Sequence, residues 1–439
     1  MNFPVTHRGH AERRSDTTAV DAARWPDVAS PPRSSRARTA VSQAVVRGAL
    51  DRLPMRVRLA DGTQLGRGGP LLRIHDPEAF HRRIGVNGLV GFGESYMAGE
   101  WDAPDLVAAL SVLAGHAADL IPRPLQRLRG LWALRRPASQ RNTPVGARDN
   151  ISRHYDLSND LFALFLDESL SYSSAVFRGF PATWRHLEAA QHAKIDRLLD
   201  LAEVTSGTSL LEIGTGWGEL AIRAARRGAR VTTLTLSAEQ RDLARERIRA
   251  AGAADRISVE LCDYREARGT YDAVVSVEMV EAVGEEFWPV YFSTLDERLA
   301  PGGRAALQAI TMPHDRMLAS GGTFTWIQKY IFPGGQLPSV EAIEKTVRDR
   351  TGLRTARRDG FGAHYAETLR LWRERFTERA DEVEELGFDD TFRRMWTFYL
   401  AYSEAGFRAG YLDVQQYLFT KDGPHGGSAT VPRPGGAGQ

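Results

Sequence analysis

Residues 209–219 read Ser209-Leu210-Leu211-Glu212-Ile213-Gly214-Thr215-Gly216-Trp217-Gly218-Glu219. A short apolar run enters an acidic residue and then a turn with glycine at every second position. Leu220, Ala221, Ile222, Ala224 and Ala225 follow at helical spacing. The order predicts a buried strand, a glycine turn and the N-terminus of a helix. Glycines allow a sharp turn and let a ligand approach with no Cβ in the way. Glu212 argues against a ligand that is mainly pyrophosphate, so the turn points to a nucleoside-like one.

Strand and helix patterns alternate outward from that turn. Strands are predicted over 230–236, 257–262, 271–277 and 304–310. Helices are predicted from 219 to about 227, over 238–251, and after the 271–277 strand through Leu299. Such alternation gives an α/β fold: a doubly wound, mainly parallel sheet that binds its ligand at the carboxyl ends of the strands. A dinucleotide site would want Gly-x-Gly-x-x-Gly and an acidic residue ending the second strand. Here the third glycine comes one position early, and the second strand ends Thr235-Leu236-Ser237. S-adenosylmethionine fits better, because its sulfonium and amino-acid portion need no phosphate cradle. At the next strand end, Asp263 could bond the adenine amino group and Tyr264 could stack on the ring. The whole reads as a class-I methyltransferase domain.

The 439 residues, 42% hydrophobic and 26% charged, are globular in composition and long enough for two or three domains. No run of 18 apolar residues is present, so no transmembrane helix is expected, and no secretory signal either. The single cysteine, Cys262, excludes a disulfide framework and a cysteine-based zinc site, and no metal is expected. Net charge is +2, but residues 1–150 carry 22 Arg and no Lys against 14 acidic residues, a net +8 that leaves −6 for the rest. A basic third fits an anionic surface, or merely a solvated tail.

The expected layout is a basic disordered tail over 1–43, a small N-terminal α/β domain over 44–137, a linker over 138–149, the methyltransferase domain over 150–420 with an aromatic lid at 311–350, and a second tail over 421–439. Within the N-terminal domain, 57–65 reads as a hairpin around Asp61-Gly62, and 77–86 and 105–114 read as helices. In 119–137, Leu125, Leu128, Leu131, Trp132 and Leu134 interleave with Arg127, Arg129, Arg135 and Arg136. That stripe suits a helix lying on an anionic bilayer, or a linker helix packed on the main domain.

Across roughly residues 85–420 the chain resembles the cyclopropane-fatty-acid synthase family. The motifs are Gly91-Phe92-Gly93-Glu94-Ser95-Tyr96-Met97-Ala98-Gly99-Glu100-Trp101, Ile151-Ser152-Arg153-His154-Tyr155-Asp156-Leu157-Ser158-Asn159-Asp160 and Leu170-Ser171-Tyr172-Ser173-Ser174-Ala175. The glycine turn, Leu234 to Gln240, and Lys329-Tyr330-Ile331-Phe332-Pro333-Gly334-Gly335 complete them. By that resemblance Gly214, Gly216, Trp217 and Gly218 line the amino-acid end of S-adenosylmethionine. Thr235, Leu236 and Gln240 sit by the ribose, and Tyr172 and Ser173 close over the carboxylate. For Trp217 and Leu236 the plain alternative is core packing, and for Gln240 a solvent-facing helix position.

Members of the family move the methyl to a double bond in a phospholipid acyl chain. An alkene is a poor nucleophile, so it must be held in line with the sulfonium in a dry pocket. Attack leaves a carbocation, from which a base removes a proton. Glu281 and Tyr365 match the family's active-site glutamate and tyrosine, which in the synthases help hold a bicarbonate that acts as the base. Tyr155, Phe324, Trp326 and Tyr330 are candidates for the substrate wall, although aromatic residues at such spacing are more often core.

Departures from the pattern carry information. Ser174 stands where Cys is common, Ala282 and Gln308 where His is common, Glu278 where a small residue is, and Ser403 where another Cys is. Ser174 and Gln308 adjoin the bicarbonate position, which counts against that ion here. Glu278 could act as base, raise the pKa of Glu281 as a like charge, or face away. The altered set resembles actinobacterial fatty-acid methyltransferases of tuberculostearic-type acid synthesis, with Leu307 to Met317 as signature. The resemblance implies a mid-chain methylene branch on an oleoyl group, formed after a hydride shift. It also implies a flavin- and NADPH-dependent reductase as partner, a possible homodimer, and a cytoplasmic enzyme peripheral to the inner membrane face. The competing readings are an ordinary cyclopropane synthase and a non-catalytic lipid-binding protein. A nucleic-acid methyltransferase has no amide-site or catalytic-cysteine motif to support it.

Overall fold

A computed structural model describes residues 19–116, 137, 140–143, 146–147 and 158–423. The arginine- and leucine-rich stripe at 119–136 and Tyr155 lie outside them.

The N-terminal part begins with two helices, α1 (Pro26–Ala29) and α2 (Arg36–Leu50), the second capped by the Ser35 hydroxyl, which accepts from Arg38 N–H at 3.2 Å. Strand β1 (Arg56–Leu59) turns at Asp61-Gly62 into β2 (Gln64–Leu65), the expected hairpin. It also runs parallel to β3 (Leu71–Ile74), which pairs with β4 (Trp101–Asp102). Helices α3 (Pro77–Asn87) and α5 (Leu106–Gly115) start where expected, capped by Asp76 and Asp105. Between them lies α4 (Leu89–Met97). The expected boundary at residue 43 is overturned, because α2 runs through it. Val28 is buried, and Trp25 Nε1 donates to Asp389 Oδ2 at 2.7 Å, so this stretch is anchored in the fold.

Next come α6 (Asn159–Phe165) and α7 (Leu187–Leu201), then the main sheet. Its strands are β5 (Ser209–Ile213), β6 (Arg230–Thr235), β7 (Ile257–Leu261), β8 (Tyr271–Val277), β9 (Leu299–Thr311), β10 (Leu353–Gly360) and β11 (Asp413–Lys421). They lie in the order β10-β11-β9-β8-β5-β6-β7. The five strands from β9 to β7 are parallel, and β11 and β10 close the β9 edge antiparallel. Those last two were not foreshadowed by the alternation: β10 is nearly all exposed Arg, Thr and Asp after Leu353. Helices α8 (Glu219–Arg226) and α9 (Ala238–Ala250) follow β5 and β6. The helix expected from 278 to 299 is broken at Gly284 (φ 81°) into α10 (Val280–Val283) and α11 (Trp288–Arg298).

Alternate residues along each parallel strand feed opposite faces. Leu210, Val231, Ala273 and Val275 pack with α7 and α8, while Leu211, Leu234, Val274 and Leu307 pack with α11 and with Ile343 and Val347. The expected lid over 311–350 is not one unit. It holds α12 (His314–Ser320), α13 (Trp326–Tyr330) and α14 (Val340–Arg350); α14 packs on α11 through Ile343 and Val347 as part of the sheet's helical layer. Three more helices, α15 (Gly362–Glu378), α16 (Ala380–Glu385) and α17 (Asp390–Arg408), cap the ligand end. Their core is continuous with the N-terminal part: Phe80, Trp101, Leu110, Phe162, Trp326, Trp372 and Phe398 belong to one apolar body. The N-terminal part is therefore fastened to the cap and is not a separately packed domain.

Arg83 ties the N-terminal part together from within, joining α3 to α1 and to Glu100 before β4. It is 1% exposed; its Nε donates to Glu100 Oε1 at 2.7 Å, and Nη1 and Nη2 donate to the Asp27 and Val28 carbonyls at 2.6 Å each. R83A strands Glu100 as a buried carboxylate without its cation, which costs about 3–5 kcal/mol. The expected result is a lower denaturant midpoint, with limited proteolysis cutting within 19–50 before the sheet.

Candidate active site

Strand order reverses between β5 and β8, so a crevice opens at their carboxyl ends. Residues following both strands meet there. After β5, Gly214 holds φ 101° and Gly216 φ 50°, values that favour glycine. Gly214 and Thr215 N–H both donate to the Leu234 carbonyl at 3.0 Å, which fixes the turn against β6. A Cβ on Gly214 would stand 2.7 Å from Met279 Cγ, whereas one on Gly216 would meet only open space.

The cavity is lined by Tyr172, Ser173, Lys194, Glu212, Gly214, Gly216, Trp217, Thr235, Leu236, Gln240, Tyr264 and Glu278, among others. Most of the expected cofactor residues thus meet in one place. Trp217 is fixed by its Nε1, which donates to Asn159 Oδ1 at 2.8 Å. Gln240 is buried, so the solvent-facing alternative falls, and the Thr235 hydroxyl donates to its Oε1 at 3.1 Å. Gly218 acts from behind, capping α8 at φ 90°. Asp263 has a different task from the one expected. Both its carboxylate oxygens accept from Arg265, at 2.8 and 2.6 Å, and it does not line the cavity.

Two buried charged residues join the site. Glu212 is 3% exposed and its Oε2 has no hydrogen-bond partner; burial pushes its carboxyl up to about 8. Such an acceptor suits an ammonium group. Lys194 was missed by sequence reasoning. Burial pulls it down to about 8 against the opposing pull of Glu278, Asp167 and Glu212, and its Nζ donates to Ser173 Oγ at 2.5 Å. A cation behind a hydroxyl suits a carboxylate. Its signal was present: Leu187, Gln191, Lys194 and Leu198 share the buried stripe of α7, where a lysine is out of place. These features fit the amino-acid portion of S-adenosylmethionine, and the glycine turn leaves room for it.

At the cavity's inner end stands Glu278, directly after β8. It faces inward, and its Oε1 accepts from Ser174 N–H at 3.0 Å and from Gln308 Nε2 at 2.8 Å. Its Oε2 accepts from the Tyr365 hydroxyl at 2.9 Å. Glu281 is set back. One oxygen accepts from Ile310 N–H, the other is buried without a partner, and burial followed by the charge of Glu278 pushes its carboxyl up to about 8. The like-charge effect expected from the sequence is therefore present. Around the carboxylates stand Tyr172 and Tyr399, whose hydroxyls share a hydrogen bond at 2.8 Å, and Phe407, 4.8 Å from the Tyr365 ring centre. Tyr399, on α17, was another residue the sequence reading missed.

Two expected wall residues belong to the core instead. Trp326 packs against Phe398 at 4.8 Å and sits over Gly93, where a Cβ would come within 2.3 Å of its ring. Tyr330 donates to the buried Glu94 at 3.0 Å, and Lys329 pairs with the same carboxylate. They bind α13 to α4. Phe324 is half-buried just before α13 and does not line the cavity.

The profile of the family described as mycolic acid cyclopropane synthetase matches residues 143–417. Tuberculostearic acid methyltransferase UfaA1 of Mycobacterium tuberculosis is 53% identical over 420 residues, covering 94% of this chain and 98% of that protein. Cyclopropane-fatty-acyl-phospholipid synthase of Escherichia coli is 33% identical over 355 residues, 80% of this chain and 87% of that one. Among solved structures, the cyclopropane synthase MmaA2 from Mycobacterium tuberculosis superimposes with a TM-score of 0.57 at 33% identity, over 62% of this chain and 98% of that chain. The mycolic acid cyclopropane synthase CmaA1 complexed with SAH and CTAB does so with a TM-score of 0.57 at 31% identity, with the same coverage.

Two outcomes test the site. G214A forces a side chain into φ 101° against Met279, and S-adenosylhomocysteine is expected to bind about tenfold more weakly by calorimetry. Glu281 keeps its proton in the fold up to about 8, against an ordinary value of 4.5. Between those values the folded state holds a proton that the unfolded chain has lost, so this residue's share of stability falls as pH rises. E281Q is expected to show a shallower drop in melting temperature across that window, and an unchanged slope would place the proton elsewhere.

Proposed function

The chain belongs to the mycolic acid cyclopropane synthetase family of S-adenosylmethionine-dependent lipid-modifying enzymes, and from that premise we propose that it methylates the double bond of an oleoyl-type phospholipid acyl chain to give a mid-chain methylene branch. The observation that carries the reading is the placement of Glu278. Half-buried Glu278 lines the cofactor cavity, its carboxylate bonded to Tyr365 and close to the Tyr172–Tyr399 pair, and no residue of that lining is exposed. The near full-length similarity to UfaA1 supports the same substrate class.

S-adenosylmethionine, when bound, supplies an electrophilic methyl on its sulfonium. Glu212, Ser173 and Lys194 would hold its amino-acid portion, and Thr235, Leu236, Gln240 and Tyr264 its nucleoside. The aromatic rings exclude water and, with Glu278, stabilise positive charge developing on the acyl chain. Without such a site an alkene carbocation would be hydrated before it lost a proton.

The methylene product is an alkene that a flavin- and NADPH-dependent reductase would convert to a methyl branch, and we place such an enzyme next in sequence. The lipid is reached from the membrane surface. Among the described residues no helix is long and apolar enough to cross a bilayer, and the basic N-terminal third favours an anionic interface. Assembly as a homodimer is part of the same proposal.

Incubating the protein with S-adenosylmethionine and dioleoyl phospholipid vesicles is expected to yield vinylidene protons in the proton NMR spectrum of the extracted lipid. High-field cyclopropane ring protons alone would assign the ring-forming reaction instead, and no methyl incorporation would remove both readings.

A further inference from the structure

Glu278 is held by more than its neighbours' packing. The three hydrogen bonds to its carboxylate come from three separate segments: Ser174 in the loop before α7, Gln308 on β9, and Tyr365 on α15. The Gln308 amide cannot turn away, because its Oε1 accepts from Gln416 Nε2 at 2.9 Å, across the register pair joining β9 and β11. Each donor is itself buried. The backbone at Glu278 lies at φ 53°, in the left-handed region, where a residue with a side chain costs on the order of 1–2 kcal/mol. A glycine would sit there relaxed. The strained conformation is retained together with a carboxylate that fills a three-donor cradle beside the methyl donor's cavity.

The resemblance to the synthases calls for bicarbonate near Glu281, Tyr365 and the positions of Ser174 and Gln308. This chain does not fit it. The Ser174 N–H, the Gln308 amide and the Tyr365 hydroxyl all donate to Glu278 already, and a second anion there would face a buried carboxylate at close range. We propose that the Glu278 side chain stands in place of that ion and is itself the base of the reaction, an inference that rests on the C-methylation reading above.

The step balances without any other reactant. The alkene π pair forms the new carbon–carbon bond to the methyl as the methyl's bond to sulfur breaks, its pair staying on sulfur. The neighbouring carbon becomes cationic. A hydride moves to it from the methylated carbon, and the charge settles there. A C–H bond of the new methyl then gives its pair to form the C=CH2 double bond of the branch, and its proton goes to a Glu278 oxygen. The carboxyl passes that proton to solvent after the product leaves.

The test compares the full-length protein, E278G and E278Q in carbon-dioxide-free buffer. With S-adenosylhomocysteine bound, a titration with 13C-labelled bicarbonate is expected to show no stoichiometric binding to the wild type and one equivalent bound to E278G, whose three donors are freed. Wild-type methylation of dioleoyl phospholipid vesicles is expected to be indifferent to bicarbonate. E278G is expected to lose about 100-fold or more in rate and to regain about tenfold when bicarbonate is added. E278Q keeps the shape of the side chain and its affinity for S-adenosylhomocysteine, and is expected to lose a similar factor with no rescue. One equivalent of bicarbonate on the wild type, or an E278Q rate close to wild type, would overturn the proposal. Absence of any methylation by the wild type would instead refute the function proposed above, and the binding comparison would still decide whether Glu278 excludes the ion.

Discussion

The Glu278 carboxylate ties together the end of β8, the loop at 174, β9 and, through the Tyr365 hydroxyl, the cap helix α15. A buried anion must be compensated wherever it is placed, because each unsatisfied lone pair in a low-dielectric interior is costly. Here three donors converge on it, and Lys194 supplies a counter-charge. The cap thus meets the sheet on a polar contact as well as through its apolar core. Removing the anion would leave three donors facing one another, so the position constrains the cap as strongly as it constrains the chemistry.

The apolar core has its own consequence. Trp326 lies over Gly93, Tyr330 and Lys329 reach Glu94, and Arg394 Nε donates to the Tyr96 carbonyl at 2.7 Å. The Gly91–Trp101 stretch is therefore a docking strip for α13 and α17, and Gly93 lets Trp326 approach closely. Tyr399 sits on the same α17 that carries Phe398 into that strip. Movement of the N-terminal part would be felt at the aromatic wall of the site through one rigid helix.

The strands of the parallel sheet were legible because burial on both faces writes continuous apolar runs, and Ser209–Ile213 and Tyr271–Val277 fall on the predicted residues. The glycine turn was legible because only glycine satisfies positive φ at such spacing. What was not legible depends on partners distant in the chain. Asp263 sits at the strand end where a ligand contact is expected, but Arg265, two residues on, folds back and takes both oxygens. Trp326 and Tyr330 carry the same residue types that a channel wall would use. Strand β10 carries three exposed arginines because it is an edge, so no alternation marks it. Sequence left open whether Glu278 acts as base, raises the pKa of Glu281 or faces away, and β9, α15 and the 174 loop together turn it inward.

A base built into the chain differs physically from one that diffuses in. Loss of a proton from the cation competes with hydride migration, and the stronger and closer the base, the sooner the proton leaves and the ring closes. Burial outweighs Lys194 and the three donors and holds the Glu278 carboxyl above its ordinary value, which suits a proton acceptor. Its three hydrogen bonds tether it on one side of the cavity, so it can reach only those protons that the cation brings to it. That tether lengthens the interval in which the hydride can move. On the proposed reading, a methylene branch would follow from the same first step that gives a cyclopropane in the synthases, with the outcome set by where one carboxylate is fastened.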